Sequence, residues 1–158
     1  MKTRNAKSDC RKPMTQHVTD TRRGTALVEM ALVLPIFMMV TLGIVEFGRA
    51  MMVSQLVTNA AREGARQAII DGATNSNVKS TIETFMLQAA NVAAGDLVIN
   101  ITVTPAPGNP DAGNQVANTN SGDLIQVAID VPFNKVSFIP GNYLNDKHLR
   151  GMAAMRRE

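Results

Sequence analysis

The stretch RRGTALVEMALVLPIFMMVTLGIVEFGRAMMV, residues 22–53, decides the architecture of this chain. Between Ala26 and Val45 the only charged residue is Glu29. About twenty apolar residues in a helix are enough to cross a hydrocarbon core of ~30 Å. The core helix of a soluble protein is the competing reading. The run is long for that, and Arg22 and Arg23 stand directly before it. Basic residues ahead of an apolar helix stay on the cytoplasmic side, which predicts a single pass with the N-terminus in and the C-terminus out.

Toward the N-terminus lies a polar arm without periodicity, which reads as disordered. It carries Lys2, Arg4, Lys7, Arg11, Lys12, Arg22 and Arg23 against Asp9 and Asp20. The formal net charge of +3 therefore belongs to the arm, and the rest of the chain is net acidic. A basic segment so placed is a topology signal, and nucleic acid is not an expected partner. The one cysteine, Cys10, sits between Asp9 and Arg11 with no apolar stretch before it. Its surroundings exclude a lipid anchor, and a single cysteine excludes an intramolecular disulfide.

Toward the C-terminus the helix continues as an amphipathic one. Val53, Leu56, Val57, Ala60, Gly64 and Ala68 recur at spacings of three and four, while Asn59, Arg62, Glu63 and Gln67 take the other side. Glu46 with Arg49 and Glu63 with Arg66 are spaced for i,i+3 pairing, worth a few tenths of a kcal/mol each. Glu46 would lie at the outer membrane interface, paired with Arg49, or take part in assembly. Arg62 and Arg66 share a flank and repel, so each needs an acidic partner, in this domain or on another subunit. Gly64 with its neighbouring alanines forms a small-residue face that permits close helix approach. Pro35 removes a backbone hydrogen bond inside the run, and a kink is expected there. Asp71-Gly72 ends the helix.

A second helix is expected over Asn75–Ala94, capped by Asn75 or Ser76 and broken by Gly95-Asp96. Residues 97–104 and 124–133 alternate apolar and polar, as half-buried strands do. Residues 147–157 read as a third strand. Between the first two strands, PAPGNPDAGNQVANTNSG shows no apolar period and reads as a long, flexible, exposed loop over residues 105–122. Asp111, Asn114, Asn118 and Asp123 lack the spacing of a calcium loop. With aromatics scarce, the core must be aliphatic. The expected fold class is α+β and pilin-like: a leader at 1–24, a long helix at 25–72, and a small extracytoplasmic domain at 73–158.

The order of basic arm, Gly24, apolar helix and Glu29 resembles the type IV prepilin signal. That resemblance implies cleavage on the cytoplasmic side between Gly24 and Thr25 by a membrane prepilin peptidase, with the helix kept on the mature chain. It also implies that Glu29 attracts the new α-amine of a neighbouring subunit during assembly. A carboxylate in an apolar helix costs a few kcal/mol unless partnered, so such residues are functional by default. TALVEMALVLP, GIVEFGRAM and NAAREGARQA, in that order, together with the terminal MAAMRRE, resemble the TadE-like minor pilins (pseudopilins) of tight-adherence (Flp, type IVc) pilus systems. Met30 stands where the major pilins of those systems have an aromatic, which fits a minor component.

The resemblance implies a bacterial inner-membrane protein with its domain in the periplasm or at the cell surface, supporting an adhesive pilus. Implied partners are the prepilin peptidase, other minor pilins, the major pilin, the inner-membrane assembly platform and membrane lipid. No cofactor or metal is expected. His17 lies in the arm, His148 has no second histidine or cysteine near it in sequence, and no Gly-x-Ser-x-Gly or phosphate loop occurs. An enzyme is therefore not expected. The alternatives are an uncleaved, membrane-anchored domain that binds through loop 105–122, and a small membrane-bound hydrolase using His148.

Overall fold

The computed structural model describes residues 21–137 and 147–158, with side chains from Gly24 onward. Residues 1–20, with Cys10 and His17, lie outside the described residues. The chain is α+β, with helix α1 over Thr21–Ala68, α2 over Asn75–Ala90, and strands β1 Val98–Thr104, β2 Leu124–Pro132 and β3 His148–Arg156. It divides into two compact units, residues Met1–Met38 and Met39–Glu158.

In the first unit, every described side chain from Gly24 to Met38 is exposed. The helix runs on through Pro35. Leu27, Leu32, Ile36 and Phe37 are each more than three-fifths exposed. A helix with this much uncovered apolar surface is long and apolar enough to cross a membrane.

The second unit is a three-stranded antiparallel meander in the order β1-β2-β3, packed with α2 around the C-terminal half of α1. Alternation sets its register: Ile101 pairs with Val127 and Val127 with Ala153, while Val103 pairs with Ile125 and Ile125 with Met155. Ile125, Val127, Ile129 and Val131 are buried along one face of β2. From α1 come Val53, Val57, Ala60, Ala61, Ala65 and Ala68, and from α2 Val78, Ile82 and Met86, all without exposed surface. Each large aliphatic side chain so buried contributes roughly 1.5–3 kcal/mol. Among the described residues the core is aliphatic, with Phe133 as its buried aromatic.

Two glycines set how close the layers come. A Cβ at Gly64 would lie 2.5 Å from Ile82 Cδ1 and 3.5 Å from Val127 Cγ1, so α2 and the sheet both press on α1 there. A Cβ at Gly151 would lie 2.7 Å from the backbone of Val57 and Thr58. At that point β3 and α1 touch backbone to backbone, and no other residue fits.

Three expectations need correction. Helix α2 ends at Ala90, not Ala94, because Asn91 turns left-handed (φ 55°) and its N–H donates to Leu87 O while Val92 N–H donates to Met86 O. Its cap is Thr74, whose hydroxyl accepts from Asn77 N–H; Asn75, at the first helical position, serves the loop instead. The 105–122 segment is also more than an exposed connection. Ala112, Val116 and Thr119 are buried in it, and a short 3-10 turn spans Val116–Asn118.

Candidate membrane anchor and assembly surface

Sequence reasoning singled out positions along α1, and the structure puts them in three different environments. Gly24 and Thr25 lie within the first turns of the helix, and Gly24 has open space around its α-carbon. The bond between them is thus helical here, not extended, and a glycine in the terminal turns makes local unwinding cheap. Glu29 is exposed, one face among a sleeve of exposed apolar side chains.

Glu46 is buried, at 8% exposure, and takes its place in the second unit. Its carboxylate accepts a hydrogen bond from the Ser137 hydroxyl. One turn on, Arg49 is half-buried and donates to two carbonyls, Val136 O at 3.2 Å and Ala90 O at 3.3 Å. These two charges therefore fasten the β2-to-β3 link and the end of α2 to the helix. This is a structural role that i,i+3 spacing did not reveal, because Ser137, Val136 and Ala90 are distant in sequence.

Gly64 and the small side chains beside it are consumed inside the domain, as Ile82 fills the space they leave. Glu63 accepts a bidentate bond from Arg66 at 2.8 and 3.1 Å. The Arg66 hydrogen bond holds the Glu63 carboxyl below its ordinary pKa. Arg62 is exposed on the same flank.

Sequence reasoning missed two polar clusters. In the first, Asp123 is fully buried. Its carboxylate accepts from Asn109 Nδ2 at 2.7 Å, Ala106 N–H at 2.8 Å and Asn120 N–H at 2.8 Å. These bonds, the Asn109 amide foremost, keep its pKa below the usual carboxylate value. Asn75 clamps the other end of the segment, donating to Asn114 O and accepting from Val116 N–H. Asn114, left-handed at φ 59°, accepts from Val103 N–H on the edge of β1. Arg157 completes the latch, donating to Thr119 Oγ1 at 2.6 Å and Asp71 Oδ1 at 2.7 Å. Of the side chains weighed for calcium, those of Asp111, Asn114 and Asp123 are thus occupied in accepting from backbone N–H groups.

The second cluster lies on the outer face of the sheet. Asp130 accepts from Arg150 Nε at 2.6 Å and lies 2.5 Å from His148 Nδ1. Burial pushes the Asp130 carboxyl up, but bonds to His148 and Arg150 outweigh it and leave the pKa lowered. His148, solitary in the sequence, is therefore one half of a cross-strand pair. Among the described residues no group of three or more histidine, cysteine or acidic side chains is arranged to hold a metal.

The decisive comparison concerns the helix. Residues 24–66 match the family described as TadE-like protein. The chain carries a TadE-like segment. Neither the curated proteins nor the solved structures gave a match. The TadE-like segment begins at Gly24 and takes in Glu29, Pro35, Glu46, Arg49, Arg62, Glu63, Gly64 and Arg66, and so nearly all of α1. It covers both the exposed apolar half of the helix and the half that organises the domain. Among the described residues, this one apolar helix near the N-terminus is long and apolar enough to serve as a single-pass membrane anchor.

Proposed function

We propose that this chain is a minor pilin, or pseudopilin, that supports assembly of an adhesive tight-adherence pilus. It enters the bacterial inner membrane with its basic arm inside and its α+β domain outside. A prepilin peptidase cuts after Gly24. The observation that carries this reading is where the TadE-like match starts: at Gly24, the residue on the N-terminal side of the proposed scissile bond. The role is structural, and its partners are the peptidase, sister minor pilins, the major pilin and the membrane platform.

Physically, cutting there removes the arm's charge and leaves an α-amine on Thr25, one helical turn from Glu29. Glu29 is exposed on its own chain, so its carboxylate is open to the amine of a neighbouring subunit. In apolar surroundings such a pair neutralises two costly charges and fixes how far one helix slides along the next. Glu46 is unsuited to this role, since its own domain encloses it.

Mass spectrometry of the protein from native membranes tests the processing step. The mature chain should begin at Thr25, and Gly24→Leu should leave it uncut. An intact Met1 terminus in pilus-forming cells would instead favour the uncleaved, anchored binding domain. Glu29→Ala should leave processing intact and abolish recovery of the chain with other pilins after crosslinking.

A further inference from the structure

We propose that the outer boundary of the bilayer lies near Met52 and Gln55, about two turns beyond Glu46, so that the domain is seated partly in the lipid surface. This rests on single-pass anchoring alone and needs neither cleavage nor a pilus.

Within the second unit, Val40, Ile44, Phe47 and Met51 follow one another at helical spacing and are 57%, 68%, 66% and 53% exposed. Met52 beside them is 53% exposed. The stripe turns polar only at Gln55 and Asn59, both exposed. On the opposite side of the helix, Glu46, Val53, Val57 and Ala60 are buried by the domain, and Arg49 and Ala50 are half-buried. Domain packing thus starts on one side of α1 two turns before the other side stops being apolar.

The charges agree with this arrangement. Glu46 and Arg49 are the only charged residues of α1 between Glu29 and Arg62. Both turn into the domain, where Ser137, Val136 and Ala90 receive them. A charge beside lipid is tolerable when its own protein partners it. Leu87, one turn before the Ala90 carbonyl that holds Arg49, is itself 53% exposed. An apolar side chain on the domain therefore lies close to the level of the stripe.

The occupant of the stripe is lipid acyl chain, because the stripe continues the apolar run without a break and carries no charge for a protein partner to read. Counted back from Met52, the ~20 residues needed to span bring the inner edge to around Val33. The Gly24–Thr25 bond then lies on the cytoplasmic side of that edge.

Single nitroxide labels at V40C, F47C, M51C, Q55C and N59C, each on a C10S background of the full chain in lipid vesicles, test the depth. Accessibility to oxygen, which concentrates in lipid, is compared with accessibility to a water-soluble nickel chelate. F47C should approach V40C in its low nickel accessibility, M51C should still be less open to nickel than N59C, and Q55C should fall between M51C and N59C. If F47C and M51C match N59C while V40C stays in lipid, the boundary is at Glu46 and the inference fails with anchoring intact. If V40C is also open to nickel, the anchoring itself fails. Shielding of F47C and M51C from both reagents would overturn lipid as the occupant in favour of a protein.

Discussion

The two halves of α1 are one helix made for two solvents. From Ala26 to Val45 every side chain is exposed, Leu32, Ile36 and Met39 among them. From Val53 to Ala68 one face is sealed by α2 and the sheet, and its residues are small: Val, Ala and Gly. Large apolar side chains suit lipid, which adapts to any shape. Small ones suit a core where Ile82 and the Gly151 backbone must come close. What separates the halves is the size of the side chains and where the charges point, more than hydrophobicity.

Substitutions that treat the halves alike should have unequal effects. The largest is at Gly151, where a side chain meets the Val57 and Thr58 backbone. Gly151→Val should cost about 3 kcal/mol and lower the thermal midpoint of the detergent-solubilised protein sharply. Gly64→Ala should cost far less, since the obstacle is the movable end of Ile82 and alanine favours the helix. Equal losses at the two glycines would contradict the backbone contact.

Next comes the direct contrast along the helix. Val57→Ala should destabilise by about 2 kcal/mol through lost burial and a cavity, whereas Leu34→Ala should leave the unfolding midpoint of the domain unchanged. Asn75→Ala should cost about 1–2 kcal/mol by releasing its two bonds to the loop. Amide exchange should then speed up at Val116 while the centre of β2 stays protected.

Acid should act on the same loop. Because the folded pKa of Asp123 is lowered, its contribution is present above the unfolded carboxylate value of about 3.9. It is lost as pH falls through the lower folded value. Amide exchange at Ala106 and Asn120 should therefore stay slow at pH 5 and lose protection in that more acidic window, an effect absent from Asp123→Asn. The smallest effect is expected at Arg66→Ala, whose exposed pair with Glu63 should leave the midpoint unmoved.

Much of this was legible because burial leaves a period in the sequence. The alternation at Ile125, Val127, Ile129 and Val131 gave β2, and the small residues at 57, 60, 64 and 68 gave the packed face of α1. Contacts with no period were hidden. The loop's anchors are Ala112 and Val116 plus bonds from Asn75 and Arg157, about forty residues away in each direction, and nothing local announces them. Thr74 rather than Asn75 caps α2 because Asn75 is committed to Asn114 and Val116, a choice only the tertiary structure makes. Gly151 left one readable mark, a glycine inside a strand, which signals close backbone approach. At the site, Glu29 stood out as a charge in an apolar run. The enclosure of Glu46 and Arg49 could not be read without knowing where Ser137 and Ala90 fold.

In the proposed topology, one helix holds the α+β domain outside the membrane that its apolar segment crosses. Labelling a unique cysteine at Ser121 (S121C on the C10S background) with a membrane-impermeant maleimide in intact spheroplasts tests it most directly. Full labelling before lysis is the predicted result. Labelling only after the membrane is broken would put the domain in the cytosol and contradict the account.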